Sequence, residues 1–293
     1  MTENLTFAYY PGCSAAATNR AYDVSTRSVA RAMDIGLEEL DDWNCCGASA
    51  YVSVDEKRAG VLCARNLALA EKAGKDLTAI CSGCFVVLRK TNKHLADDPK
   101  FAAAVQKALA AGGMSYTGSV KVRHFLDIVV NDAGEAAVRG RVTRPLAGLK
   151  VAPYYGCEVG RPFSEVDDPE EPRMMDDLIR WLGAEAVPFP LKAKCCGGMM
   201  MTTQPSIGRR LSGLVLQSAR DAGADCIITA CPLCQINLEA YQGAISRKLH
   251  ADCRIGVLYF TQLMGAAFGL DEAQLALKDC ITPVESVLSR KGA

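Results

Sequence analysis

The sequence lacks an excess of either charge. Its 33 basic residues balance 33 acidic ones, so no long-range field argues for nucleic acid or an anionic membrane as a partner. It also lacks an apolar run of the roughly 18 to 20 residues that a membrane span needs. Its first residues, Met1-Thr2-Glu3-Asn4, lack the basic-then-apolar order of a secretory leader. The expected compartment is therefore the cytoplasm. Histidine is scarce: His94, His124 and His250 are the full complement. None recurs at a matched position of the motifs described below, which points to core or surface roles rather than ligation; His124 alone lies near a repeated element. The rest is ordinary for a globular chain of 293 residues, 49% hydrophobic and 23% charged, with length for one large core or two domains.

Cysteine is what the sequence has in quantity. There are 14. In a compartment that keeps thiols reduced, and in a chain too long to need staples, they indicate metal or redox chemistry rather than a disulfide framework. Ten fall into a scheme that occurs twice. Each copy has a Tyr-Tyr-(Pro)-Gly-Cys turn, then an adjacent Cys-Cys followed by glycine, then a Cys-x-x-Cys. The first copy comprises Cys13, Cys45, Cys46, Cys81 and Cys84, and the second Cys157, Cys195, Cys196, Cys231 and Cys234. From doublet to Cys-x-x-Cys is 35 positions in both (46 to 81, 196 to 231). From the lone cysteine to the doublet is 32 in one and 38 in the other (13 to 45, 157 to 195). The difference falls on the acidic, proline-rich stretch 165–172, where an insertion costs little.

The segments between the cysteines alternate. Leu5–Tyr9 reads as a buried strand, 19–33 as a helix with Ala21, Val24, Ser28 and Ala32 inward, 37–40 as a strand. Residues 55–73 form a helix with Val61, Leu62, Leu67 and Leu69 on its apolar side, ended by Gly74. A strand at 77–80 meets Cys81, helices follow at 85–95 and 101–111, and 122–130 begins a further strand or helix. The polar, broken stretch 134–148 reads as a linker between domains at 1–133 and 149–293. The order then restarts: strand 151–155, helix 174–182, strand 186–189, helix 205–222, strand 226–230 and a helix opened by Cys231-Pro-Leu-Cys234. Val257–Phe260 echoes Val122–Phe125; the residues after 270 give a helix and tail of no assigned place. This predicts an α/β protein, two pseudo-symmetric β/α (Rossmann-like) domains from an internal duplication. Three cysteine groups per half then fall at carboxyl ends of strands, where open parallel sheets build their sites.

Five thiols per half suit some ions poorly. A structural zinc takes four ligands, usually as two paired motifs, and adjacent residues chelate one small ion badly because their side chains diverge. A multi-iron cluster, with its irons spread over several ångströms, accepts both thiols of a doublet. Iron–sulfur ligation, a structural zinc and a thiol-exchange protein are the readings the residues leave open, and glycines at 12, 47, 83, 156, 197 and 198 allow close backbone approach at such a site.

Two copies of Cys-x31-to-37-Cys-Cys-Gly-x33-Cys-x-x-Cys resemble the duplicated CCG-type cysteine-rich domain of the heterodisulfide reductase B subunit, over most of the chain from Tyr9 to about Met264. The resemblance implies two non-cubane [4Fe–4S] clusters, each held by the five cysteines of one half. It implies a disulfide or protein-bound sulfur substrate reduced, or formed, between them. The chain has no Cys-x2-Cys-x2-Cys-x3-Cys-Pro run, so electrons must come through a partner. The resemblance implies a C-type subunit with cubane clusters and, beyond it, a flavin-containing A-type subunit. CCG-type domains also resemble electron-relay parts of succinate-, lactate- or glycolate-oxidising complexes, which is the rival reading.

Cys63 and Cys226 fall on apolar segments and read as core; Cys253 and Cys280 carry no assigned role. Lys192, Lys194 and Arg161 lie near second-half cysteines in sequence, as Arg20 lies near Cys13, and are candidates for binding anionic substrate groups, with a solvated or partner-facing role as the alternative. Met199-Met200-Met201 either lines a pocket or packs a helix start, with packing favoured.

Overall fold

The computed structural model describes residues 5–15, 17–48, 50–284 and 287–288; the Met1–Asn4 segment and the end of the tail lie outside them. Each half carries four parallel strands. In the first they are β1 (Thr6–Tyr10), β2 (Gly36–Glu39), β3 (Leu77–Ala79) and β4 (Val122–His124), in spatial order β2-β1-β3-β4. In the second they are β5 (Lys150–Tyr154), β6 (Glu185–Ala186), β7 (Cys226–Thr229) and β8 (Gly256–Tyr259), ordered β6-β5-β7-β8. The two orders are the same, so the repeat read from cysteine spacing is a repeat of topology. β3, β7 and β8 are buried along their length, and β1 and β5 beyond their first residue, which is why they read as apolar runs rather than alternating patterns.

The winding direction reverses across each sheet between its first and third strands. After β1 the chain crosses to β2 on one side, then returns to lay β3 on the other. The carboxyl ends of β1 and β3 therefore flank a switch point, the place where such sheets open a crevice. Cys13 follows β1, and Cys81 and Cys84 follow β3; Cys157, Cys231 and Cys234 stand likewise after β5 and β7.

Several elements differ from the sequence expectation for identifiable reasons. The strand expected at 186–189 is confined to Glu185–Ala186, since Pro188 and Pro190 have no N–H to give a ladder. The expected strand or helix at 122–130 is both, β4 leading directly into helical turns through Ala133. The stretch read as a linker starts with helix Gly134–Arg139, whose Val138 is fully buried and whose Arg139 Nε lies 2.6 Å from Glu135 Oε1. Helix Arg20–Ala32 turns Tyr22, Ser25, Thr26 and Val29 inward, leaving Val24 and Ala32 only half-buried. Helix Glu56–Lys72 buries Ala59, Cys63, Ala64, Asn66 and Leu67, with Val61, Leu62 and Leu69 half-buried. Small residues, not the largest apolar ones, form the inner face because the helix lies close over the cysteine doublet.

The halves share a core. The Tyr22 ring stacks on Tyr259 at 4.0 Å and 5°, Asn19 Nδ2 donates to the Tyr259 hydroxyl at 2.7 Å, and Ser25 Oγ lies 2.7 Å from Thr261 Oγ1. Helix Arg20–Ala32 thus packs on helix Phe260–Ala267 of the other half. Reciprocally, helix Met174–Trp181 meets the helical turns after β4, with Asn131 Nδ2 3.7 Å from Met174 Sδ. This exchange is the contact expected of two copies related by a pseudo-twofold axis. Short turns at Glu272–Leu275 and Leu277–Asp279 then cover helix Arg20–Ala32, which places part of the segment after 270. Among the described residues no helix is long and apolar enough to cross a membrane.

Candidate metal centre

The ten scheme cysteines lie at the carboxyl ends of the strands, and their thiols form one connected series. In the first half Cys13 and Cys45 are 3.6 Å apart between sulfurs and Cys46 and Cys84 3.3 Å; Cys45 and Cys46, and Cys84 and Cys81, are close enough to shift each other's protonation. In the second half the same neighbours, Cys157 with Cys195, Cys195 with Cys196, Cys196 with Cys234 and Cys234 with Cys231, stand close enough to shift each other's protonation. Cys81 and Cys231 do so across the halves. The two five-thiol sets therefore approach each other at the first cysteine of each Cys-x-x-Cys.

The contacts move protons off some sulfurs. Hydrogen bonds with Cys45 and Cys84 bring the Cys46 thiol down to about 3. Those with Cys157 and Cys196 bring Cys195 down to about 2, and those with Cys231 and Cys84 hold Cys81 well below the usual thiol range. The partners Cys45, Cys84 and Cys157 rise correspondingly, each chiefly through its bond to the lowered neighbour. Thiolate is the ligating form; Cys196, Cys231 and Cys234 are also pushed up, Cys196 chiefly by Cys195 and Cys234 chiefly by Cys196, so the shifts run in both directions within the sets. Among the described residues no three His, Cys, Asp or Glu side chains are placed to hold a single metal ion. Sulfurs strung out in fives fit a multi-atom cluster better than one tetrahedral ion.

Local structure explains how each sulfur is presented. Gly12 and Gly156 both have positive φ, +78° and +68°, and a Cβ on either would stand 3.2 Å from Cys84 Sγ or 3.1 Å from Cys234 Sγ. They bring the turn after the first strand against the Cys-x-x-Cys helix. The tyrosine before each turn anchors the doublet: the Tyr10 hydroxyl donates to Asn44 O at 2.9 Å, and Tyr154 to Lys194 O at 2.7 Å. Backbone N–H groups then address the sulfurs, Gly47 to Cys45 at 3.4 Å, Ala48 to Cys46 at 3.4 Å, Gly197 to Cys195 at 3.3 Å and Gly198 to Cys196 at 3.5 Å. The carbonyl of each doublet's second cysteine is held by the helix behind it, Cys46 O by Cys63 Sγ at 3.1 Å and Cys196 O by Ser212 Oγ at 2.8 Å. Cys63 is thus buried as expected, but it also holds the doublet.

The remaining sequence candidates are placed as follows. Cys226 and Cys253 are buried, and Cys280 lies half-buried with Gln262 Nε2 3.4 Å from its sulfur. His94 stacks on Phe101 at 4.0 Å, and His250 caps a helix in left-handed conformation. His124 is fully buried beside the carbonyls of Ile80 and Ala230, which precede Cys81 and Cys231. The cations proposed for substrate are engaged by the acidic loop: Lys192 Nζ donates to Pro172 O at 2.7 Å, Lys194 Nζ is 3.6 Å from Glu170, and Arg161 Nε donates to Pro169 O at 3.0 Å. Arg20 reaches Asp279 at 3.8 Å. Met201 is buried, whereas Met199 and Met200 are exposed.

Two residues near the sulfurs were not singled out from the sequence. Glu158 extends from the second half toward the first, its Oε2 3.2 Å from where a Cβ on Gly83 would stand. Burial, then the charges of Cys231, Cys195 and Cys46, raise its carboxyl to about 7. Asn237 donates from Nδ2 to Cys196 Sγ at 3.5 Å. Both break the repeat, standing where the first half has Ser14 and Val87. That mismatch is the signal by which the sequence could have shown them.

Comparison with known proteins agrees with this geometry. A family model for the CCG cysteine-rich domain matches twice, at residues 7–89 and 151–239. The membrane anchor subunit of 8-methylmenaquinol:fumarate reductase from Wolinella succinogenes is 32% identical over 92% of this chain and 95% of its own. The B subunit of the ferredoxin/F(420)H(2)-dependent CoB-CoM heterodisulfide reductase of Methanosarcina acetivorans is 30% identical over 92% and 91%. An Archaeoglobus profundus protein described as like the B subunit of heterodisulfide reductase is 30% identical over 97% of both chains. A crystal structure of a hypothetical protein from Helicobacter pylori shares the fold, with TM-score 0.73 at 14% identity, over 93% of this chain and 51% of that one. With two complete copies of the domain, and relatives of matching length, this chain belongs to the CCG cysteine-rich domain family that includes the heterodisulfide reductase B subunits.

Proposed function

We propose that the chain is the catalytic iron–sulfur subunit of a heterodisulfide reductase-like complex, with one non-cubane [4Fe–4S] cluster per half. Cys13, Cys45, Cys46, Cys81 and Cys84 would hold the first, and Cys157, Cys195, Cys196, Cys231 and Cys234 the second. The reading rests on two matched sets of five cysteines at the carboxyl ends of two sheets with the same strand order. When bound, the two groups would supply the two electrons that a disulfide takes on cleavage to two thiolates. The chain's own contribution is placement. Gly12 and Gly156 let the sulfurs of each half converge, the doublet N–H groups fix sulfur positions, and Glu158 sets a carboxyl between the two sets. Electrons would arrive through a C-type subunit with cubane clusters, itself served by a flavin-containing A-type subunit, and the substrate would be a disulfide or a protein-bound sulfur.

Anaerobically purified protein is expected to contain about eight irons with matching acid-labile sulfide; zinc without sulfide would overturn the reading in favour of a structural metal protein. Cys196→Ser is expected to remove about half of the iron and one of two sets of paramagnetic signals, leaving the first site intact. Near-normal iron and spectra in that variant would refute the ligand assignment.

A second reading is favoured by the fumarate reductase relative: a relay subunit of a succinate-, lactate- or glycolate-type complex, with clusters but no sulfur substrate. Single-turnover mixing of the pre-reduced protein with disulfides separates the two. Stoichiometric thiol product supports the first reading, and its absence with every disulfide supports the relay.

A further inference from the structure

The two thiol sets share their backbone donors but not their side-chain donors. Both doublets receive the same pair of N–H contacts, at 3.3 to 3.5 Å. Tyr10 and Tyr154 match as well, each hydroxyl donating to a carbonyl, and Tyr10 is also near enough to Cys46 to help lower its thiol. The correspondence ends one helical turn after the Cys-x-x-Cys. Three residues past Cys234 stands Asn237, and three past Cys84 stands Val87.

Asn237 is 2% exposed. One of its amide hydrogens serves Cys196 Sγ at 3.5 Å and the other Gly198 O at 3.0 Å. The second bond fixes the orientation that makes the first. In the first half Val87 offers no donor, and Ala48 O, at the position of Gly198 O, accepts instead from Ala50 N at 3.1 Å. A hydrogen bond to a ligating thiolate stabilises the more negative, reduced state of the centre and raises its reduction potential. Exposure works the other way, since Cys13 is exposed where Cys157 is half-buried, and Cys81 is half-buried where Cys231 is buried. Those are differences of degree in solvent contact, whereas Asn237 supplies a donor to a buried sulfur, where low dielectric strengthens the bond.

We propose that Asn237 is a positioning residue that raises the reduction potential of the second site above that of the first, so that two equal ligand sets become electronically unequal and a single electron rests on the second. The proposal rests on reading both sites as iron–sulfur centres. No proton transfer is involved.

The test is a dye-mediated potentiometric titration of the anaerobic, cluster-loaded full chain, followed by electron paramagnetic resonance, for the wild type, Asn237→Val and Val87→Asn, with iron and sulfide measured on each. The expected result is that Asn237→Val moves the more positive of the two transitions to lower potential and leaves the other in place, while Val87→Asn raises the more negative one. Full iron content with both transitions unmoved in Asn237→Val would overturn the tuning alone, as would a shift confined to the more negative transition. If Asn237→Val fails to retain its cluster, Val87→Asn decides: a raised lower transition supports the proposal and an unmoved one overturns it. A wild-type chain without iron and sulfide would overturn the reading of both sites and this inference with it.

Discussion

At the scale of single residues, His124 shows how the fold can force a protonation state. Its Nδ1 accepts from Leu126 N at 3.1 Å, so the proton of the neutral ring sits on Nε2, which is buried with no hydrogen-bond partner among the described residues. Burial lowers its pKa to about 4. The folded state therefore resists a proton that the unfolded state takes up near pH 6.5, and between those values the unfolded chain binds more protons. Stability contributed by the neutral ring is present above pH 6.5 and is lost as pH falls toward 4, by about 3 kcal/mol in full. His124→Asn keeps a capping acceptor for Leu126 and removes the titration. Urea midpoints at pH 7.5, 6 and 5 should show the wild type losing its advantage over the variant as pH falls. A constant difference across the three values would contradict the assignment. The sequence showed only that His124 lay by a repeated strand; its neutrality comes from burial, which tertiary packing decides.

At the scale of elements, the recurrent unit is strand, glycine turn and cysteine. Gly156 has φ +68°, and a Cβ there would crowd Cys234 Sγ at 3.1 Å. Gly156→Ala strains the backbone and pushes at a thiol of the same set, so it should cost about 1 to 3 kcal/mol and, on the proposed ligand assignment, lower the iron retained by the second half. Gly74→Ala serves as the comparison: it also has positive φ, +64°, but nothing lies within 4 Å of its Cβ position. It should cost stability without changing iron content. Equal iron loss in both variants would show that backbone strain, not crowding of the sulfur, is what matters. The strands and the two long doublet helices were legible because their apolar runs and stop glycines are local signals. Which face each helix buries was less so. Helix Glu56–Lys72 turns Ala59, Cys63 and Ala64 inward because close approach to the doublet selects small side chains over large apolar ones.

At the scale of the whole molecule, the halves are not two beads on a string. Tyr22 of the first half is fully buried against Tyr259 and Phe260 of the second, and its hydroxyl reaches Ala230 O at 3.3 Å. Ser82 Oγ donates to the same carbonyl at 3.0 Å, which ties the Cys-x-x-Cys turn of one half to that of the other. Tyr22→Ala should destabilise the protein by about 3 to 5 kcal/mol and weaken both sites, because the turns carrying Cys81 and Cys231 lose a shared support. Thermal unfolding together with iron content is the measurement. A large loss of stability with both sites still fully loaded would show that the halves hold their sulfurs independently.

The two matched sets of cysteines, the duplication and the strand–helix order could all be read from the chain alone, because cysteine spacing and hydrophobic period are written along the sequence. The chain also pointed to Lys192, Lys194 and Arg161 beside the second site, but proximity along it says nothing of partners, and the acidic loop 165–172 engages all three. Folding was needed to bring Cys81 to Cys231, to stand Glu158 between the sets and to bond Asn237 to Cys196 without an equivalent at Val87. Asn237 and Cys196 are 41 positions apart and Cys81 and Cys231 150, and their geometry comes from packing the two sheets and their helices together. No local pattern of residues encodes it.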